Sequence, residues 1–308
     1  MNVISIFAIE NFSCYACKDD SSNKFYKILD HEYCIDKETV YFECSSCGTI
    51  SQHPMPTEKQ LSDFYPDSYH SFSGNGLLTK IRLWMRYSRI GKYLKENDNF
   101  LDYGCGNGDF LYYVSKKHPQ CKFFGYEISE KSEIIKSENV LIIKGSINLL
   151  LEKLPICKII TMNHTIEHIP QPDLIIKKLF EKLDNLGFID GQTPSTQSVE
   201  KFLFKNYWSG FHAPRHTVIF SIKGITQIFL NVGFKEIVIK SAFNPASYAV
   251  SIGSVIKKNK NLLKREGLRW FALICIGSFL SFIDILFKKP NIINFKAVKY
   301  NNDKDGRF

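Results

Sequence analysis

Residues 100–111 read FLDYGCGNGDFL: an apolar strand runs into Asp102 and then into glycines at alternate positions, Gly104, Gly106 and Gly108, before a new apolar run opens a helix. Glycines at this spacing let the backbone turn sharply and come into contact with a bound small molecule, which any larger side chain would prevent. A dinucleotide-binding turn is built on the same plan, with the pyrophosphate on the helix N-terminus and a glycine at the place taken here by Asp109. A carboxylate in that first turn repels a phosphate and tolerates a cationic, phosphate-free ligand. S-adenosylmethionine is such a ligand. The next strand, CKFFGYEIS, ends in Glu127, where a carboxylate can accept hydrogen bonds from both hydroxyls of a ribose.

Three segments in order, DYGCGNG, YEIS and IITMNHTIEHIPQP (159–172), resemble the class I S-adenosylmethionine-dependent methyltransferases. In that family the fourth strand is followed by a Glu-His pair and a proline-containing turn, matched here by Glu167, His168, Pro170 and Pro172. YWSGFHAPRHTVIFS (207–221) and GITQIFLNVGF (224–234) extend the likeness toward a bacterial small-molecule and sugar-methylating subgroup, so that it covers about residues 76–250. The resemblance implies that Gly104, Cys105 and Gly106 approach the methionyl part of the cofactor. It implies too that Asp102 fixes the loop or reaches the ammonium, and that Glu127 takes the ribose. Ser146 stands near the adenine amine, where the family often has an acidic residue, and Asn163 and His164 lie near the sulfonium end.

Cys14 and Cys17 form one CxxC and Cys44 and Cys47 another, with 26 residues between the inner cysteines. That is zinc-ribbon spacing: two tight turns each present two thiolates to one ion, and a closed four-sulfur shell folds a module without doing chemistry. Cys34, between the pairs, is an alternative ligand. Cys105, Cys121 and Cys157 fall in or beside strands and read as small apolar residues.

These groups must be positioned by a larger scaffold. Apolar runs predict strands near 99–103, 122–127, 140–144, 158–162, 187–190, 235–241 and 293–299, with helices between most of them and a basic helix over 76–97 in front. Such alternation makes an α/β fold, a Rossmann-like seven-stranded methyltransferase sheet with helices on both faces and ligands at the strand C-termini. The expected organisation is a zinc ribbon over 1–55, a linker over 56–75, and a methyltransferase domain over 76–308 with an apolar helical insertion at about 255–290.

Methyl transfer requires an acceptor held in line with the methyl and sulfur, and an acceptor hydroxyl must also lose its proton. Histidine suits that task. His168, beside Glu167 and expected to begin the helix after the fourth strand, His212 and His216 are the candidate bases, and His164 is a candidate pocket wall. In WSGFHAPRH, Trp208, Phe211 and Arg215 offer stacking surface and cationic donors to a sugar ring or an anionic group; packing onto the sheet and a structural salt bridge are the alternative reading.

Forty Lys and Arg against 31 Asp and Glu give a formal charge of +9, which favours anionic partners, although a lysine-rich solvated surface reads the same way. At 44% hydrophobic the composition is globular, not disordered. No secretory signal is evident in VISIFAI, so a cytoplasmic protein with reduced thiols is expected. Residues 270–287 are almost wholly apolar with basic flanks, yet Asp284 and a following strand that must rejoin the sheet argue against a span. An interfacial helix at the inner face of the membrane, or a dimer or lid helix, fits better. The leading expectation is O-methylation of a small molecule, a sugar or lipid-linked surface-polysaccharide precursor. An RNA-modifying or RNA-binding zinc-ribbon protein is the alternative, disfavoured because NHTI replaces the Asn-Pro-Pro-aromatic motif of many base-amine methyltransferases.

Overall fold

In β-strands successive side chains face opposite layers, and here that alternation builds a core on each face of the main sheet. The computed structural model describes residues 12–65, 77–128, 137–257 and 267–300. Part of the expected linker, the VISIFAI segment and the basic residues Lys258, Lys260, Lys264 and Arg265 lie outside them. Strands β1 (Ser22–Ile28), β2 (Thr39–Cys44) and β3 (Ile50–Gln52) make an antiparallel meander in the cysteine-bearing region.

The main sheet contains β4 (Asn99–Tyr103), β5 (Lys122–Glu127), β6 (Val140–Lys144), β7 (Cys157–Asn163), β8 (Leu183–Pro194), β10 (Glu236–Ala242) and β11 (Ile292–Val298). Their order is β10-β11-β8-β7-β4-β5-β6, with β11 antiparallel to both neighbours and the rest parallel. These are the seven strands predicted from the sequence, in a Rossmann-like methyltransferase arrangement. The order reverses between β4 and β7, the switch point where an open α/β sheet leaves a crevice for ligands.

Leu101, Ile160, Met162 and Ile189 point to one face, against the helices Pro172–Glu181 and Ile222–Val232. Phe100, Phe123, Ile159 and Phe188 point to the other, against the helices Leu77–Ile90 and Asp109–Ser115. His168 closes a 3-10 turn, Ile166–His168, and the helix waits until Pro172, whose fixed φ suits the first helical position.

The two sheets are joined by a segment that follows β8. A short strand β9 (Val218–Ile219) pairs with β3, Ile50 opposite Ile219 and Ser51 opposite Val218, so the cysteine-bearing sheet has the order β1-β2-β3-β9. Trp208, Phe211 and Ala213 pack with Ile28, Tyr41, Ile50 and Ile219 in a core shared by the N-terminal strands and this segment.

The apolar segment forms one helix, Gly267–Leu286, long and apolar enough to cross a membrane by length and composition. Its buried positions are Gly277, Ser281 and Asp284, a stripe of small and polar residues turned toward the protein. A Cβ at Gly277 would lie 2.3 Å from the Pro245 carbonyl oxygen, so the helix packs closely on the preceding one, Pro245–Lys257. Asp284 accepts hydrogen bonds from Tyr248 Oη (2.8 Å) and the Asn291 amide (3.2 Å), and burial raises its pKa to about 6. Phe271, Phe279, Phe282, Leu286 and Phe287 face outward and are exposed.

Candidate functional site

On the face toward Leu77–Ile90, side chains change from apolar to polar as the strands approach their C-terminal ends. Phe100, Ile159 and Phe188 give way to Asp102, Thr161 and Asp190, in register across β4, β7 and β8. Beyond them come Gly104, Asn163 and Gln192. Buried polar groups need partners, and two arginines of the helix supply them. Arg86 contacts both carboxylate oxygens of Asp102 (3.3 and 3.4 Å) while stacking on Phe110, and Thr161 Oγ1 donates to Asp102 Oδ1 at 2.6 Å. Burial raises the Asp102 pKa, and Arg86 and Thr161 oppose that rise. Arg89 donates to Asp190 (2.9 Å), Asn294 (3.0 Å) and Asn163 Oδ1 (2.6 Å).

Next to this polar row lies the glycine turn. Gly104, Gly106 and Gly108 all have left-handed backbone angles, with φ of 79°, 56° and 86°. The amides of Gly104 and Cys105 donate to the Tyr126 carbonyl (2.8 and 3.0 Å), drawing the turn toward the end of β5, and the Gly106 amide donates to Glu127 Oε2 at 3.0 Å. Backbone and an acidic side chain therefore meet where the sequence places the cofactor.

The turn is specific for glycine, and the polar groups beside it suit S-adenosylmethionine. A Cβ at Gly104 would sit 2.5 Å from Thr165, and one at Gly108 2.7 Å from Ile142, so the turn tolerates only glycine there. Arg86 Nε and Asn163 Nδ2 are buried donors without an acceptor among the described residues, and the cofactor's carboxylate is an acceptor of the required kind. Cys105 is buried and its pKa is raised by burial, in keeping with a wall rather than a nucleophile. Ser146 caps the helix Ile147–Lys153 by accepting from the Leu149 amide, so its hydroxyl is already engaged.

The histidines gather, but unequally. Rings of His168 and His216 lie 4.6 Å apart, and His212 is 4.9 Å from His216. His212 has both nitrogens in use: Nδ1 pairs with Glu32 (2.6 Å) and Nε2 accepts from Arg215 Nε (3.0 Å). It holds the fold together and is not placed to take an acceptor's proton, a correction to its candidacy. His168 Nδ1 lies 3.1 Å from the Arg215 carbonyl and 2.9 Å from Tyr65 Oη, and His216 Nδ1 lies 2.8 Å from the Gly210 carbonyl. A carbonyl only accepts, so both Nδ1 atoms carry the proton and both Nε2 atoms keep a lone pair. Burial pushes the His168 pKa down to about 4 and that of His216 well below the usual range. His164, at φ 52°, pairs with Gln192 (2.9 Å) and faces Glu167 at 3.4 Å. Burial would raise Glu167, but His164 and the neighbouring His168 hold it lower.

Trp208, Phe211 and Arg215 are not offered to a substrate. Trp208 and Phe211 are 2% and 1% exposed, inside the core beside β9, and Arg215 is wholly buried. Its guanidinium makes a bidentate pair with Asp30 (2.9 Å each) and also donates to the carbonyls of Phe64 and Ala213. The alternative reading of WSGFHAPRH holds, because pairing of β9 with β3 turns this segment inward. Arg86 and Arg89, in contrast, were missed from the sequence. Their signal was present as Arg82, Arg86 and Arg89, spaced to line one face of a helix.

The sulfurs of Cys14, Cys17, Cys44 and Cys47 lie within 4.8 Å of one another, with Cys14–Cys47 at 3.6 Å and Cys17–Cys44 at 3.5 Å. A zinc ion with four thiolates at about 2.3 Å has sulfur–sulfur edges of about 3.8 Å, so the cluster fits that ion. Cys34 is exposed and outside the group.

No curated protein sequence matches the chain. Among solved structures, a SAM-dependent methyltransferase from Archaeoglobus fulgidus is similar at 18% identity, covering 71% of this chain and 94% of that one, with a TM-score of 0.49. A phosphoethanolamine N-methyltransferase 2 from Haemonchus contortus, solved with S-adenosyl-L-methionine, is similar at 15% identity over 81% of this chain and 59% of its own length, with a TM-score of 0.50. At such identity the likeness is one of fold. A family model described as a methyltransferase domain matches residues 81–238, just over half the chain and spanning the arginine helix, the glycine turn, Glu127 and the histidine cluster. The chain thus belongs to the methyltransferase-domain family, an enzyme with the S-adenosylmethionine-dependent fold.

Proposed function

We propose that the enzyme moves the methyl group of S-adenosylmethionine to a hydroxyl of a small sugar-containing or lipid-linked acceptor. The observation that carries the donor assignment is the glycine turn with Glu127 bonded to the Gly106 amide. The cofactor would bring an electrophilic methyl to the β4 and β7 ends. Gly104 and Gly106 would let the backbone close on it, with Glu127 turning from the Gly106 amide to the ribose. Asp102, on the strand that leads into the turn, is itself held by Arg86 and Thr161.

An oxygen acceptor is favoured because the turn after β7 presents imidazole lone pairs, His168 Nε2 foremost, and a hydroxyl must lose its proton as the methyl arrives. A lipid-linked acceptor is favoured by the outward face of Gly267–Leu286. Its exposed phenylalanines and leucines lie between exposed Arg269 and Lys288 and Lys289, a layout suited to the inner surface of an anionic bilayer. The four cysteines would hold a structural zinc ion in a module that supports β9 and its segment.

Purified enzyme with isotopically labelled S-adenosylmethionine and fractionated cell extract tests this reading. Label should enter the lipid or nucleotide-sugar fraction, and Glu127→Ala should lose most of the transfer. Label confined to RNA or to protein would overturn the acceptor assignment.

A further inference from the structure

We propose that Glu167, His168 and His216 form a second metal site, for a divalent ion of the zinc, cobalt or iron type. One ligand atom from each lies within 4.8 Å of the others, and donors around an ion with bonds of about 2.1 Å sit about 3.4 Å apart, so short side-chain movements would close the shell. A carboxylate with two imidazoles matches transition ions rather than magnesium or calcium, which prefer oxygen ligands.

Each donor is prepared in the way ligating groups are. His168 Nδ1 is turned to the Arg215 carbonyl and His216 Nδ1 to the Gly210 carbonyl, which fixes both tautomers with Nε2 unprotonated. Glu167 is completely buried; its Oε2 accepts from Thr193 Oγ1 at 3.0 Å, whereas Oε1 makes no close hydrogen bond among the described residues and is faced by His164 Nδ1 at 3.4 Å. A buried carboxylate oxygen with only this long contact is incompletely compensated, and a cation would complete its surroundings.

The backbone also builds this site. The Thr217 amide donates to the Glu167 carbonyl at 2.8 Å, so the turn after β7 and the segment before β9 are zipped together around the three side chains. Three protein ligands leave one position on a tetrahedral ion for water or for an acceptor oxygen, and because the ion takes the His168 Nε2 lone pair, in the loaded enzyme it would replace that nitrogen as the group that activates an acceptor hydroxyl. The site is separate from the four cysteines in both ligands and chemistry.

Cobalt(II) titration of the full chain, after a single equivalent of zinc has been taken up by the four thiolates, which prefer it, reads this site directly. Cobalt bound by nitrogen and oxygen gives weak visible bands, and cobalt bound by thiolate adds intense near-ultraviolet charge transfer. The wild-type chain should take up one cobalt ion with the nitrogen–oxygen spectrum. His216→Gln and Glu167→Gln should abolish that spectrum, and Thr193→Val, which removes only the hydroxyl supporting Glu167, should weaken binding about 10- to 100-fold. Thiolate bands alone, no cobalt uptake, or nitrogen–oxygen bands that survive the Gln variants would each overturn the proposal. Because the readout is metal binding, it stands or falls apart from any methyl-transfer result.

Discussion

Gly104 shows how one backbone angle decides whether a cofactor can be held. Its φ of 79° lies in the left-handed region, and the space beside it is filled by the Thr165 side chain. An alanine there would pay about 1–2 kcal/mol for the backbone angle alone, a factor of roughly 5–30 in an equilibrium, before displacing Thr165. Gly104→Ala should therefore weaken S-adenosylhomocysteine binding by at least roughly tenfold, measured by calorimetry, with near-native circular dichroism. Unchanged affinity would mean that the turn does not form the cradle. The placement of the glycines, Glu127 and Asp102 was legible in the sequence because it is local: a turn of left-handed angles, and carboxylates near strand ends. What Asp102 does was not legible, since its partners Arg86 and Thr161 come from a helix and a strand far along the chain. His212 illustrates the same limit, as only the fold brings Glu32 to its ring.

At the scale of elements, strand order was readable from alternation and spacing, whereas the pairing of β9 with β3 was not. A two-residue strand leaves almost no periodic signal, and the contact joins residues 50 and 219. That pairing reverses the meaning of WSGFHAPRH, from an exposed loop to an inner layer whose charge is balanced by Asp30 of the cysteine-bearing region. Removing one member of a buried ion pair leaves the other uncompensated, which costs about 3–5 kcal/mol. Asp30→Ala should lower unfolding stability by that order in urea titrations, because it leaves Arg215 buried with the Phe64 and Ala213 carbonyls and His212 Nε2 in place of a carboxylate. A loss under about 1 kcal/mol would show that water reaches the guanidinium and that the pair does not clamp the two regions.

For the whole molecule, the distribution of apolar surface on Gly267–Leu286 is the reverse of a core helix: small and polar residues face the protein and large apolar ones face away. The helix ends at Leu286 and β11 begins at Ile292 in the interior of the sheet, while Asp284 is tied to Tyr248 and Asn291, so this helix lies along the body. Phe202, 78% exposed, extends the apolar surface beside Lys289. An apolar face rimmed by Arg269, Lys288 and Lys289 suits an anionic lipid surface, where aromatic side chains enter the acyl boundary and cations stay with the headgroups. Burying one Phe side chain is worth about 1.5–3 kcal/mol, so losing two such anchors should reduce partitioning roughly 100-fold or more. The full-length protein should sediment with phosphatidylglycerol vesicles and much less with phosphatidylcholine, and salt should weaken the association. Phe279→Glu with Phe282→Glu should remain in the supernatant with an unchanged circular dichroism spectrum. If the wild-type protein instead stays soluble beside anionic vesicles and elutes as a dimer that the double variant dissociates, the face is an interface between copies of this chain, and the acceptor need not be lipid-linked.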